Sequence, residues 1–481
     1  MTDLTWLSTR ELASRLRTGE VSAREALEAH LDRIDAVNPA LNAVVTLDAD
    51  TARAQASAAD EAYARGERLG LLHGVPMTHK DTHDTRGMRT TLGSPVFADR
   101  VPESDDLLIS RLRAAGVITT GKTNVPEFAA GSHTFNPVFG TTVNPYDTSR
   151  TSGGSSGGVS AAIAAGIQAS GDGSDMGGSL RTPGSFTNTV GLRPSNGRIP
   201  HALPGRPWAW LGQQGFMARE VADVALLMQA GAGPAAGAPQ SLRETGEVFD
   251  RPEFARDGEG EGLRGLRVGF SADLDGRLRV ERPVRAVVEA SRSVFESAGA
   301  HVDEAVPDLD DADEVFRVQR AYDFACNNGP VLKEHRDQMK DFVIWNTEMG
   351  LGLTVEELIG AEAGRGRLLA ATEAFFAEHD LLVTTTSQVL PFDAGIEYPT
   401  EIEGTALHTY LDWMRAATLI SATGCPAVTV PAGFTPPLPG APTGLPVGIQ
   451  LVAAPGKDVE LLLAAKAFEE LTGHHRVRPQ L

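Results

Sequence analysis

Apolar residues recur at helical spacing through residues 8–37, STRELASRLRTGEVSAREALEAHLDRIDAV, and predict an amphipathic helix opened by a serine start signal. Residues 51–66 repeat the pattern, so the chain begins with outer helices. LHGVPMTHKDT then reads as a strand entering a polar loop. DDLLISRLRAAGVITTGKTN predicts a helix, a glycine stop and a strand. The alternation returns in GLRVGFSAD, in the helical RPVRAVVEASRSVFESAGAHV and in DLLVTTTSQVL. CPAVTVPAGF and GLPVGIQLVAAP predict two further strands, followed by a helix over 458–471. Such alternation places the chain in the α/β class, with a mixed or parallel sheet covered by helices. Residues 231–262 are rich in Gly, Ala, Pro and acids and predict an exposed connection rather than a domain boundary. No repeat of 20–50 residues is present.

Composition narrows the picture. The chain has 481 residues, of which 41% are hydrophobic, enough to bury a sizeable core. No run of 18 apolar residues predicts a membrane span. The opening MTDLTWLSTRELASRL lacks a basic patch followed by an apolar stretch, so no secretory signal is predicted. The two cysteines, Cys326 and Cys425, share no metal-ligand spacing and read as free thiols. These features together predict a cytoplasmic protein. The net charge of −20 argues against a nucleic-acid partner, whose binding requires phosphate neutralisation. Of 43 basic residues only six are lysines: Lys80, Lys122, Lys333, Lys340, Lys457 and Lys466. Arginine cannot lose its proton in a protein, whereas a desolvated lysine can. Lys80 and Lys122 lie in β-like stretches; the other four are expected on the surface.

Two segments concentrate glycine and serine: TSGGSSGGVSAAIAAG at 151–166 and GDGSDMGGSLRTPGS at 171–185. A phosphate-binding loop would need a lysine directly after its glycines, and none follows until Lys333. A nucleophile elbow fits the G-x-S-x-G spacing, but it must follow a buried strand, and the polar NPYDTSRTSG precedes it. A third reading joins both segments to Lys80. Ser179 follows Met176-Gly177-Gly178, whose bare backbone N–H groups can face a developing oxyanion. Neither segment contains a histidine, and a buried neutral lysine can act as base instead. Ser155 and Ser156 are both candidates to relay the proton.

These motifs resemble the amidase signature family, whose members use a Ser–Ser–Lys triad. The family pattern G-G-S-S-G-G followed by G-[TS]-D-x-G-G-S-[IL]-R-x-P is matched at Gly153–Gly158 and Gly173–Pro183. The family lysine, in G-[VI]-P-x-x-x-K-D, is matched by GVPMTHKD with Lys80. GKTNVPEFA, GLRPSNGRIP and GCPAVTVPAGF extend the resemblance over nearly the whole chain. It implies Lys80 as base, Ser155 as bridging serine on a cis peptide bond, and Ser179 as the acyl-accepting nucleophile. It further implies an oxyanion hole from Met176, Gly177, Gly178 and Ser179, and the family's α/β fold, with helices on both faces of a mixed central sheet. One domain over 1–481 is expected: outer helices in 1–66, the triad motifs in 67–230, the connection at 231–262, and the remaining α/β part with pocket loops in 263–481. The sequence departs from common family residues at Gly184, often alanine, and at Ser174, often threonine.

Around the triad, Ser156 and Ser174 are expected to hydrogen-bond locally, and Asp175 and Arg181 to brace the loop as an ion pair. Trp208, Trp210 and Cys326 are candidates for the substrate pocket. His79 and His83, beside Lys80, are expected to be solvated loop residues, and Lys122 structural. The activity implied is cleavage of carboxylic amides, and of esters as side substrates, by a monomer or homodimer. The substrate is a small-molecule amide, with no metal and no cofactor. The alternative is the glutaminase component of a tRNA-dependent amidotransferase, releasing ammonia from glutamine for a partner protein. The acidic balance and the segment LRTPGSFTNTVGLRPSNGRIP after Ser179 count against it.

Overall fold

A computed structural model describes residues 3–201, 205–256, 258 and 260–481. Where the periodicity predicts one helix over 8–37, the chain forms two, Thr9–Thr18 and Ala23–Leu41. Gly19 ends the first in the left-handed region, at φ 72°, which suits a residue without Cβ. Ser22 and Glu25 open the second with a reciprocal capping box. The next helix, Ala49–Ala64, matches the second predicted pattern.

Eleven strands matter for the site: β1 Val44–Leu47, β2 Pro76–Lys80, β3 Ile118–Thr123, β4 Ser170–Asp175, β5 Val190–Arg193, β6 Gln213–Ala218, β7 Arg267–Ser271, β8 His301–Asp303, β9 Leu381–Thr385, β10 Ala427–Phe434 and β11 Pro446–Val452. The first three form a small sheet in the order β1-β3-β2, with β2 and β3 parallel. The other eight form one sheet in the order β8-β7-β9-β11-β10-β5-β6-β4. Its β8-β7-β9 end is parallel and the rest antiparallel, so the sheet is mixed. Helices flank it; Arg181–Phe186, Arg282–Ser297 and Asp458–Thr472 all pack on β10 and β11.

The two sheets meet where β2 lies beside β4. Lys80 is the last residue of β2 and Asp175 the last of β4, so both strands deliver their C-terminal ends to one place. Every side chain of β2 and β3 is buried. The connection at 231–262 departs from its expected exposure: Phe249 and Phe254 are fully buried in the main core. Burying each phenyl ring contributes roughly 1.5–3 kcal/mol, which fastens a polar, glycine-rich segment to the body.

Candidate active site

Lys80 enters the site from the end of β2 with no solvent exposure. Its Nζ donates to Ser155 Oγ at 2.8 Å, Ser156 Oγ at 2.9 Å and Ser174 Oγ at 2.9 Å. Burial pushes the Lys80 ammonium down to about 7, against the pull of Asp175 and Asp172. The Gly154–Ser155 peptide is cis. Ser156 stands at the N-cap of helix Gly157–Ala164, yet its hydroxyl accepts from Lys80 rather than capping the helix. The Ser156 N–H donates to the Ser179 carbonyl at 3.1 Å, tying the two serine segments together. Exposure is 0% at Lys80, 1% at Ser155 and 7% at Ser179, so Ser179 stands nearest the open space.

Asp175 braces the loop that carries Ser179. Its carboxylate takes a forked pair of bonds from Arg181, at 2.9 Å each, and the N–H groups of Gly178 and Leu180. Burial works to raise the Asp175 carboxyl; Arg181, Arg193 and the Gly178 N–H outweigh it and hold it well below the usual carboxylate range. Gly178 has φ 105°, and a Cβ there would lie 2.6 Å from Ala417 Cβ, so only glycine fits this turn. Because the Gly178 N–H is donated to Asp175, it is not free to meet an oxyanion. Of the four expected donors, those of Met176, Gly177 and Ser179 remain. Arg181→Met should leave the buried carboxylate short of its main partner and destabilise the fold by about 3–5 kcal/mol. A urea unfolding curve shifted by less than about 1 kcal/mol would show that the brace is dispensable.

The histidines beside Lys80 are not solvated as expected. β2 is buried on both sides, so its outward position points into protein as well. His79 and His83 offer Nδ1 to Asp172 at 2.5 and 2.6 Å, and Asp172 also accepts the Lys80 backbone N–H at 3.0 Å. Burial works to raise the Asp172 carboxyl, but His79 and His83 hold it well below the usual carboxylate range. A carboxylate only accepts, so both rings carry their proton on Nδ1. Asp172 thereby fixes the backbone at Lys80 from β4. Lys122 is buried too, as a structural residue: it donates to the His83 carbonyl at 2.5 Å and to Thr85 Oγ1 at 2.7 Å. Two lysines expected on the surface are largely covered: Lys466 is 8% exposed, and Lys340 Nζ lies 3.4 and 3.9 Å from the rings of Phe135 and Phe342.

Ser155, Ser174, Met176, Gly177 and Ser179 line one wall of a cavity of about 510 Å³. Phe97, Phe128 and Phe324 supply apolar surface, and His83, Arg206 and Arg320 supply polar groups. The three pocket candidates lie elsewhere. Trp208 is 69% exposed, and Trp210 is buried in the core with Arg365 over its ring. Arg206 and Ala209 of the same segment do reach the cavity. Helix Ala312–His335 presents Arg320, Asp323, Phe324, Asn327 and Asn328 to it, a stripe at helical spacing that leaves Cys326 outside, exposed. Sequence reasoning picks out neither Asp172 nor Arg320. Among the described residues no group of three or more His, Cys, Asp or Glu is placed to hold a metal ion. No helix among them is long and apolar enough to cross a membrane.

The amidase family model matches residues 25–462. The chain belongs to the amidase family. It is 34% identical to an acylamidase of Rhodococcus erythropolis, over 97% of this chain and 96% of the relative. It is 35% identical to the A component of the glutamyl-tRNA(Gln) amidotransferase of Moorella thermoacetica, over 100% and 99% of the two chains. Its fold superposes on a bacterial aryl acylamidase of the amidase signature family with a TM-score of 0.88 at 26% identity, covering 98% of this chain and 97% of the other.

Proposed function

We propose that this amide-hydrolysing enzyme works by transferring the acyl group of a carboxylic amide to Ser179, with esters as side substrates. Ser179 Oγ bonds to the carbonyl carbon while its proton passes through Ser155 to neutral Lys80 and then to the departing amine. Water repeats the sequence on the acyl-enzyme and releases the acid. The observation that carries this reading is the buried Lys80 Nζ, 2.8 Å from Ser155 Oγ, with its ammonium pushed down to about 7. A base works best with a pKa near the operating pH. The leg from Ser155 to Ser179 is supported by the cavity they share and by the Ser156–Ser179 backbone bond. The Gly177 and Ser179 N–H groups, with that of Met176, are the donors for the oxyanion; one such donor contributes about 3–4 kcal/mol.

The rate on an amide substrate should rise as pH climbs through about 7, because Lys80 must lose its proton before it can accept one. The pH profile of kcat/KM, measured on the wild type and on His79→Gln and His83→Gln, tests this. A rising limb that disappears in either histidine variant would move the base from Lys80 to that histidine.

Similarity to the amidotransferase component supports a second reading, release of ammonia from glutamine by the same triad for a partner protein. Gel filtration combined with a glutaminase assay on the purified chain separates the two. Turnover of simple acyl amides without a partner, and none of glutamine, favours the free-standing hydrolase.

A further inference from the structure

A guanidinium buried without a carboxylate partner is costly, because the charge has left water with nothing of opposite sign to meet it. Arg320 comes close to this case: among the described residues it has no ion-pair partner at contact distance, and Asp323 acts on it only at longer range. It is 4% exposed. Its Nη2 donates to the Tyr410 hydroxyl at 2.8 Å, and its Nη1 reaches only the thioether of Met176 at 3.2 Å. Its Nε is buried with no hydrogen-bond partner. The rings of Phe324 and Tyr410 cover it, with centroids 4.3 and 5.8 Å away.

Arg320 also lines the cavity that holds Ser179. The other two arginines there are neutralised by protein: Arg100 by Asp84 and Arg206 by Asp323. Asp323, the acid nearest to Arg320 along the helix, is already engaged by Arg206 and Gln319. The remaining arginine therefore touches Met176, in the loop that leads to Ser179, and its surroundings are aromatic.

We propose that Arg320 binds a carboxylate on the substrate, so that this enzyme prefers amides carrying an anionic group beside an apolar body. A carboxylate brought in with the substrate would supply the acceptor that the guanidinium lacks. This inference rests on the reading that Ser179 is acylated by amides.

Two pairs of substrates test it with the full-length protein. The mono-4-nitroanilide of succinic acid and the 4-nitroanilide of pentanoic acid differ in charge on the acyl side. N-butanoyl-4-aminobenzoate and N-butanoyl-4-toluidine differ in charge on the amine side. The charged member of one pair should be favoured roughly 10- to 100-fold in kcat/KM, the range of a charge-assisted hydrogen bond, with the gain in KM. Arg320→Gln should bring that ratio close to one, and Arg320→Lys should keep part of it. Equal or better hydrolysis of both neutral members by the wild type overturns the inference, whether or not the variants fold. So does an Arg320→Gln variant that lowers both members of a pair alike, which would make the residue a structural bridge. Fluorophosphonate labelling in the same samples separates this from the underlying reading. A labelled Ser179 without charge preference sinks the anion site alone. An unlabelled Ser179 with none of the four amides cleaved sinks the acyl-enzyme reading, and the anion site with it.

Discussion

Ser179→Ala should lower kcat by about a millionfold, roughly 8 kcal/mol, the scale seen when a hydrolase loses its nucleophile. Ser155 and Ser179 both line the cavity, and Ser179 is the more exposed of the two, whereas Lys80 lies behind them with no exposure. The same variant should take up no label from a fluorophosphonate, whereas the wild type should carry one adduct, located by mass spectrometry on the peptide containing GGSLR. An adduct on Ser155 or Ser156 would reverse the roles proposed for the two serine segments. The variant should fold normally, since no side-chain hydrogen bond braces the Ser179 hydroxyl among those of the loop, and thermal unfolding checks this.

Lys80→Arg should be nearly as damaging as Lys80→Ala, each lowering kcat by at least about a hundredfold, the lower range for losing a general base. Arginine keeps the charge and much of the length, so a residue needed only as a cation would survive the change in part. A guanidinium stays protonated at any workable pH and cannot accept a proton from Ser155. Burial lowers the lysine to about 7, which suits it to the proposed role of base. Because Lys80 is wholly enclosed, the larger head group also threatens packing, and each variant's unfolding temperature must be compared with that of the wild type. A Lys80→Arg enzyme that folds normally and keeps more than about a tenth of kcat, a loss under about 1.4 kcal/mol, would remove Lys80 from the role of base.

The meeting of Lys80 with the two serine segments was legible in the sequence because glycine and lysine usage leaves a compositional mark. Glycines pack Ser155 and Ser179 into places no side chain could share, and a chain that otherwise uses arginine keeps a lysine at position 80. The pattern of β2 is legible as a strand but not as a doubly buried one, so the polar His79 reads as solvated. Its partner Asp172 lies in β4, and nothing in local periodicity announces a contact across that separation. Arg320 is invisible for the same reason: it is one of two arginines on its own helix, and its lack of an ion-pair partner among the described residues is a property of the folded cavity. The break at Gly19 is readable in principle, since a glycine followed by S-x-x-E is both a stop and a start. The anchoring of 231–262 turns on Phe249 and Phe254, whose weight is lost in a composition dominated by Gly, Ala and Pro.

Arg181 carries one more consequence, for recombination between relatives. Besides holding Asp175, its guanidinium donates to the Ala417 carbonyl at 3.1 Å, to Ser421 Oγ at 2.7 Å and to Gln450. Ser185 accepts the Gly448 N–H at 2.8 Å, and Asn188 donates to the His474 carbonyl at 2.9 Å. Lys80, Ser155 and Ser179 all lie within the first half of the chain, yet the segment that carries Ser179 is bolted to residues near its end. A chimera joined between these halves must therefore inherit matching surfaces at Ala417, Ser421, Gly448 and Gln450, or it will carry an intact signature on a loop without its supports. Crossovers outside that pairing leave both sides of the bolt in one parent and should be the ones that yield active hybrids.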